Sequence, residues 1–197
     1  MKLEVRPLTK ETWKDLVELF SRPGASIVRG CWCMYYRKSG GSGGVGVGQV
    51  NRKAMKSLVD RGTVPGLIGY QDGSPVGWIS LGTREDYAKL RRSPVMKPVD
   101  DKPVWSIVCF FVDARSRGSG VSEVLLAAGI DYARSRGATL LEAYPVDKRE
   151  RSNPDFMWFG AKRMYDRAGF KEVARRKENR PVVRKSIRPR PRREPAA

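Results

Sequence analysis

The sequence predicts an α/β domain of mixed α+β character: a central, mostly antiparallel sheet containing one parallel pair, flanked by helices. Three observations predict it. Residues 105–112 (W-S-I-V-C-F-F-V) form an almost unbroken run of apolar, largely β-branched and aromatic side chains. Such a run suits a strand covered on both faces. Next, Val121, Val124, Leu125, Ala128 and Tyr132 recur at helical spacing, Gly137 stops the pattern, and residues 138–144 read as a strand again. A strand, a helix and a strand this close together imply a parallel pair joined by a crossover helix. Finally, Asp72-Gly73 lies between the strand-like stretches 67–70 and 76–81, marking an antiparallel hairpin.

The remaining elements follow in order. Residues 2–6 alternate as an edge strand. Thr9 is the expected N-cap of a first helix whose stripe is Trp13, Leu16, Val17 and Phe20, and Pro23-Gly24 ends it. Residues 27–37 carry an aromatic cluster, Trp32, Tyr35 and Tyr36, which packs under the sheet or borders a pocket. Residues 39–48 (S-G-G-S-G-G-V-G-V-G) are low-complexity, serving as a linker or a flap, and lack the spacing of a dinucleotide or P-loop motif. A helix is expected over 51–61, capped by Asn51 and stopped by Gly62. Pro75 sits at the start of the second hairpin strand, where it costs no ladder bond. Thr83 is expected to cap a short helix over 84–90, and 91–101 reads as a polar loop. After a charged loop at 145–154, a helix is expected over 156–168. Residues 170–174 and 182–183 then form a last antiparallel pair.

The turn after residue 112 suggests chemistry. Asp113-Ala114-Arg115-Ser116-Arg117-Gly118-Ser119-Gly120 leads into a helix N-terminus, whose unpaired N–H groups and partial positive charge favour anions. Glycines at 118 and 120 remove side chains that would hold a phosphate off the backbone. Arg115 and Arg117 add positive charge. The reading is a phosphate cradle; the plainer alternative is a tight turn with solvated arginines.

Composition narrows the function classes. With 40% hydrophobic and 30% charged residues among 197, the chain suits one domain with its own core. No apolar run approaches the roughly 18 residues of a membrane span, nor does the N-terminus carry a signal-peptide core, so a cytoplasmic protein with no membrane association is expected. Histidine is absent, which excludes Ser-His-Asp and Cys-His machinery. Three cysteines (Cys31, Cys33, Cys109) without histidine cannot assemble a four-ligand zinc site, and no metal is expected. Cys31-x-Cys33 is a redox pair or, more plainly, two reduced thiols. The formal charge of +18 would steer acidic substrates or nucleic acid to the surface, or serves solubility alone.

Arg115-x-x-Gly118-x-Gly120, after an apolar strand ending in Val112, resembles the acyl-CoA-binding signature of the GNAT superfamily of acyltransferases, R/Q-x-x-G-x-G/A. The Arg6-Pro7 step before a helix, the hairpin at 66–82, and Ala161-x-x-x-Tyr165-x-x-x-Gly169-Phe170 resemble further superfamily features. The resemblance implies a GNAT-like acyl-CoA N-acyltransferase fold over 1–185, with 186–197 a disordered basic Pro/Arg-rich tail. It implies acetyl-CoA as co-substrate and direct attack of an amine on the thioester carbonyl. Backbone groups of Phe110, Phe111 and Val112 would then bind pantetheine and polarise the carbonyl. Amides from Gly118, Ser119, Gly120, Val121 and Ser122 would hold the pyrophosphate, with Arg115 and Arg117 beside it. In the superfamily the segment after the first helix often borders the acceptor pocket, which would place the 27–37 cluster there.

Tyr165 matches the superfamily's usual tyrosine acid. A phenol of pKa about 10 can protonate a thiolate whose acid has pKa about 8.5. Core packing on its helix's apolar stripe is the alternative. Two features depart from the pattern: Trp158 stands where the superfamily often has asparagine, and the central strand carries no glutamate base. Glu142, on the following strand, is the best substitute, acting through water; pairing with nearby arginines is the alternative.

The expected function is therefore N-acetylation of a primary amine on a small molecule or protein, by a monomer or homodimer. Two alternatives remain. One is an acetyltransferase whose acceptor belongs to a polyanion assembly, such as aminoacyl-tRNA or a ribosomal protein. The other is a non-enzymatic nucleic-acid-binding module using the basic surface.

Overall fold

A seven-stranded sheet organises the computed structural model, which describes residues 2–39, 47–148 and 157–188. The strands are β1 (Leu3–Pro7), β2 (Gly66–Gln71), β3 (Ser74–Thr83), β4 (Trp105–Val112), β5 (Leu140–Ala143), β6 (Lys171–Arg175) and β7 (Pro181–Ser186). They lie in the order β1-β2-β3-β4-β5-β7-β6. Only β4 and β5 run parallel; the other pairs are antiparallel. The helices are α1 (Trp13–Ser21), α2 (Ser26–Cys31), α3 (Val47–Asp60), α4 (Ala88–Arg92), α5 (Val121–Ser135) and α6 (Lys162–Arg167). Two cores result. Residues of α1, α2 and α3 pack on one face with Ile68, Trp78, Val108 and Cys109. On the other face α5 and α6 pack with Ile79, Leu81, Ile107, Phe110 and Leu141. No described helix is long and apolar enough to cross a membrane.

The central strand has the bounds its apolar run predicts, and the hairpin turns at Asp72 and Gly73, both at positive φ. Other boundaries moved. Helix α1 begins at Trp13, so Thr12 and not Thr9 stands at the N-cap, and its hydroxyl accepts the Thr9 N–H at 2.9 Å and donates to the Pro7 carbonyl instead of bonding a helix amide. Helix α3 starts at Val47, and Asn51 is buried inside it, donating to the Gly30 carbonyl rather than capping. A 3₁₀ turn (Arg84–Asp86) and α4 replace the single helix expected over 84–90, and the Thr83 hydroxyl meets the Asp86 carboxylate instead of a main-chain amide. Gly160, at φ +77°, restricts the late helix to Lys162–Arg167. Strand β7 runs through Ser186, and Ile187 is buried. The glycine run at 40–46, the loop at 149–156 and the tail from 189 lie outside the described residues.

Two details aim the turn after β4. Ser80 pairs with Cys109 but Leu81 pairs with Ile107, so Val108 is a bulge residue on β4. Val108 and Cys109 consequently pack on the same face, and Phe110 then points to the opposite one. The ladder to β5 stops at this bulge, with Ile107 opposite Ala143, and the strands diverge beyond it. Across the sheet, a Cβ on Gly77 would lie 2.7 Å from a Val121 methyl and 2.9 Å from a Leu125 methyl. Its absence lets the first turns of α5 press onto β3.

Candidate active site

Beyond the bulge, Phe110 and Val112 turn main-chain groups away from β3. The Phe110 N–H donates to the Trp158 carbonyl at 2.5 Å, and the Val112 carbonyl accepts from Arg117 Nε at 3.2 Å. Residues just before α6 thus cross the gap that opens beyond the bulge and accept the Phe110 amide. A cleft of about 290 Å³ lies here, walled by Phe110, Phe111 and Val112 on one side and Met157, Trp158 and Gly160 on the other. Arg117, Ser122 and Glu123 line the end nearer α5, where Glu123 pairs with Arg167.

The turn between β4 and α5 is pinned from below. Asp113 is buried; its Oδ1 accepts the Arg115 N–H at 3.0 Å and its Oδ2 accepts from Arg22 Nη1, at the end of α1, at 2.8 Å. Burial opposes ionisation, but those donors prevail and hold the carboxyl down to about 2. The chain then passes Gly118 and Gly120, both at φ +82°, a conformation glycine adopts without the steric penalty of a Cβ. The Gly120 carbonyl accepts from the Glu123 and Val124 amides, closing the first turn of α5. For Gly118, Ser119, Gly120, Val121 and Ser122, no main-chain acceptor is found among the described residues. These are the orphan donors of a helix start. The Arg115 side chain is largely exposed and contacts Asp113.

The two residues expected to carry proton transfer are both buried. Tyr165 is 0% exposed; its hydroxyl donates to the Phe159 carbonyl at 2.9 Å, and its ring packs against Phe110 and Phe170 behind Gly160. Burial pushes its phenol well above the usual range. Glu142 is also 0% exposed, and both its oxygens accept from Arg84 Nη2 at 2.9 Å. Arg184 Nε and the Tyr144 hydroxyl each add a bond at 2.7 Å. Arg184 also forks onto Asp100, whose carboxyl this pairing lowers to about 2. The arginine-paired alternative for Glu142 is the one observed.

A second cavity of about 350 Å³ adjoins the cleft, sharing Ile27, Val28 and Trp158 with it. Its other walls are Tyr35, Tyr36 and all three cysteines. The aromatic cluster therefore divides: Trp32 is buried against Trp13 and Phe20, while Tyr35 and Tyr36 line the cavity. Trp32 and Cys33 both have left-handed φ, +46° and +52°, a strained pair for residues with side chains. That turn brings Cys33 Sγ within 3.4 Å of Cys109 Sγ and within 3.1 Å of Trp78 Nε1, which donates to it. Sequence reasoning did not foresee this convergence, because Cys109 lies 76 positions from Cys33. Among the described residues, no group of three or more Cys, Asp or Glu side chains is arranged to hold a metal ion.

The sequence profile of the "Acetyltransferase (GNAT) family" matches residues 47–170. No curated protein sequence matches the chain. Among solved structures, an N-acetyltransferase (PaiA) of Thermoplasma acidophilum in complex with coenzyme A superposes with TM-score 0.51 at 15% identity, covering 95% of this chain and 100% of the other. A mosquito arylalkylamine N-acetyltransferase-like protein gives 0.59 at 10% identity, covering 94% and 100%. The ribosomal-protein-alanine N-acetyltransferase of Brucella melitensis gives 0.53 at 16% identity, covering 93% and 99%. At these identities the likeness is one of fold.

Proposed function

Because the chain belongs to the acetyltransferase (GNAT) family, we propose that this acyltransferase moves an acetyl group from acetyl-CoA to the primary amine of a small molecule or protein. One observation carries the reading. The diverging end of β4 leads into a turn whose successive amides, Gly118 to Ser122, lack main-chain acceptors, beside an apolar cleft. The pyrophosphate fits those amides and the positive end of α5. Arg117, tethered to the Val112 carbonyl, adds a guanidinium at the same end of the cleft. Pantetheine fits between Phe110–Val112 and Met157–Gly160, its polar arm exchanging bonds with the Trp158 carbonyl for the Phe110 amide.

The acetyl carbonyl then lies where the cleft meets the second cavity. The amine nitrogen bonds to the carbonyl carbon, the carbon–sulfur bond breaks, and the thiolate leaves as coenzyme A. In this reading Tyr165 and Glu142 serve the scaffold, since the hydroxyl of one and the carboxylate of the other are already engaged. The amine enters in its neutral form and its proton passes to solvent. Two of the three named neighbours, by name an arylalkylamine N-acetyltransferase-like protein and a ribosomal-protein-alanine N-acetyltransferase, support an amine acceptor without choosing its kind. Isothermal calorimetry at low salt tests the reading: coenzyme A should bind with micromolar or tighter affinity, and absence of binding would overturn it.

A further inference from the structure

We infer that Cys33 and Cys109 are an oxidisable pair: a hydroperoxide converts them to a disulfide, and that bridge weakens coenzyme binding. The pairing stands apart from the acetyltransferase reading, while its effect on the coenzyme rests on that reading. Cys33 Sγ lies 3.4 Å from Cys109 Sγ, and both residues are buried. The spacing Cys31-x-Cys33 suggests a different partner. In the fold Cys31 Sγ accepts the Cys33 main-chain N–H at 3.3 Å, while the Cys33 thiol is directed to Cys109. The two paired positions lie 76 apart in sequence. Closing so long a loop restrains the unfolded chain far more than a Cys31–Cys33 ring would.

A disulfide holds its sulfurs about 2.05 Å apart, so the pair must close by about 1.4 Å. Both ends can give. Trp32 and Cys33 occupy left-handed backbone at φ +46° and +52°, and such a strained turn relaxes as its side chain moves. Cys109 follows the bulge at Val108, where the ladder to β3 is already interrupted. The bridge ties the chain just after α2 to β4. Ile27 and Val28 of α2 and Phe110 of β4 all wall the cleft. Pantetheine enters by parting the Trp158 carbonyl from the Phe110 amide, and walls fastened together yield less to it.

The chemistry balances with one peroxide. Trp78 Nε1 donates to Cys33 Sγ at 3.1 Å and favours the negative charge that forms there when the proton leaves. Contact with Cys109 raises the Cys33 thiol, so the pair rests reduced and reacts slowly. All three cysteines line the second cavity, of about 350 Å³, which has room for a peroxide. The Cys33 sulfur bonds to one peroxide oxygen, the O–O bond breaks, and water departs to leave a sulfenic acid. The Cys109 sulfur then displaces that hydroxyl, forming the S–S bond and a second water. Two thiols are oxidised and one peroxide is reduced. A dithiol reverses the bridge by exchange.

The test treats the full-length protein with hydrogen peroxide and removes the reagent by gel filtration. Calorimetry then measures binding of acetyl-CoA, whose blocked sulfur cannot reduce the bridge. The oxidised protein should have lost two hydrogens in mass, and trypsin should leave residues 30–37 joined to the peptide that carries Cys109. Acetyl-CoA should bind at least fivefold more weakly than to untreated protein, and dithiothreitol should reverse both changes. Cys31→Ser should keep the bridge and the fivefold difference. Cys33→Ser should lose both, and Cys109→Ala tests the same point should Cys33→Ser fail to fold. A Cys31–Cys33 bridge, or sulfinic acids with no bridge, overturns the inference and leaves the acetyltransferase reading standing. So does a Cys33–Cys109 bridge with acetyl-CoA affinity unchanged. Failure of the reduced protein to bind acetyl-CoA overturns both readings.

Discussion

The main-chain N–H of Phe110 is held by the carbonyl of Trp158 at 2.5 Å, across the gap that opens where β4 leaves β5. A coenzyme arm that hydrogen-bonds to β4 must displace that carbonyl. Coenzyme A titration should therefore change tryptophan emission, and Trp158→Phe should remove most of the change while the protein still binds. An unaltered response in Trp158→Phe would show that this segment stays in place.

Gly118 separates charge from conformation. Its Cβ position is open, with nothing within 4 Å, but its φ is +82°. Any side chain there incurs the left-handed penalty of roughly 1–2 kcal/mol. Gly118→Ala and Gly118→Glu should lose similar stability in thermal melts. Only Gly118→Glu, which sets a carboxylate beside the phosphate seat, should weaken coenzyme A at least tenfold by calorimetry. Matching affinities for the two variants would remove the anion role from this turn.

Glu142 neutralises two arginines inside the fold. Glu142→Gln leaves Arg84 and Arg184 without the carboxylate that both contact. Breaking a buried pair in this way costs about 3–5 kcal/mol. For a chain of this size that lowers Tm by on the order of 10 °C. A scanning calorimeter reads the loss directly. An unchanged Tm with reduced turnover would return Glu142 to the list of proton carriers.

Acid stability follows from Asp113 and Asp100, both held down to about 2 against an ordinary 3.8. A carboxyl whose folded pKa is depressed contributes stability that is fully present above the unfolded value. That contribution fades as pH falls from about 4 through about 2. Asp113→Asn removes one such group. Its Tm should sit below that of the parent at pH 7, and the difference should narrow as pH falls from 4 to 2. A constant difference across that window would rule out this linkage.

Tyr165→Phe discards a hydroxyl bonded to the Phe159 carbonyl. Loss of one buried hydrogen bond costs about 0.5–1.5 kcal/mol. Turnover should fall less than threefold, and kcat/KM should rise with pH toward the amine's own pKa with no break near pH 6 to 7. A tenfold loss of kcat with coenzyme affinity preserved would restore Tyr165 as the acid.

Much of this was readable beforehand because it is local. The apolar run of β4, the stripe of α5 and the Asp72-Gly73 turn each draw their signal from adjacent residues. The bulge at Val108 was invisible, since an extra residue within a wholly apolar run leaves no alternation to violate. Trp32 could not be told from Tyr35 and Tyr36, because their separation depends on the left-handed pair at Trp32 and Cys33. The partners of Glu142 were out of reach for another reason: Arg84 lies 58 positions away and Arg184 lies 42. The shortened α6 traces to Gly160, whose positive φ interrupts an otherwise helical pattern.

Val108 sets a parity. If the same eight residues alternated regularly, with no bulge, inward and outward positions would exchange from Cys109 to the strand's end. Phe110 would turn toward α1 and α2, and the thiol now flooring the second cavity would face α6. Whether this crevice exists at all is thus decided by odd or even counting along eight residues of backbone.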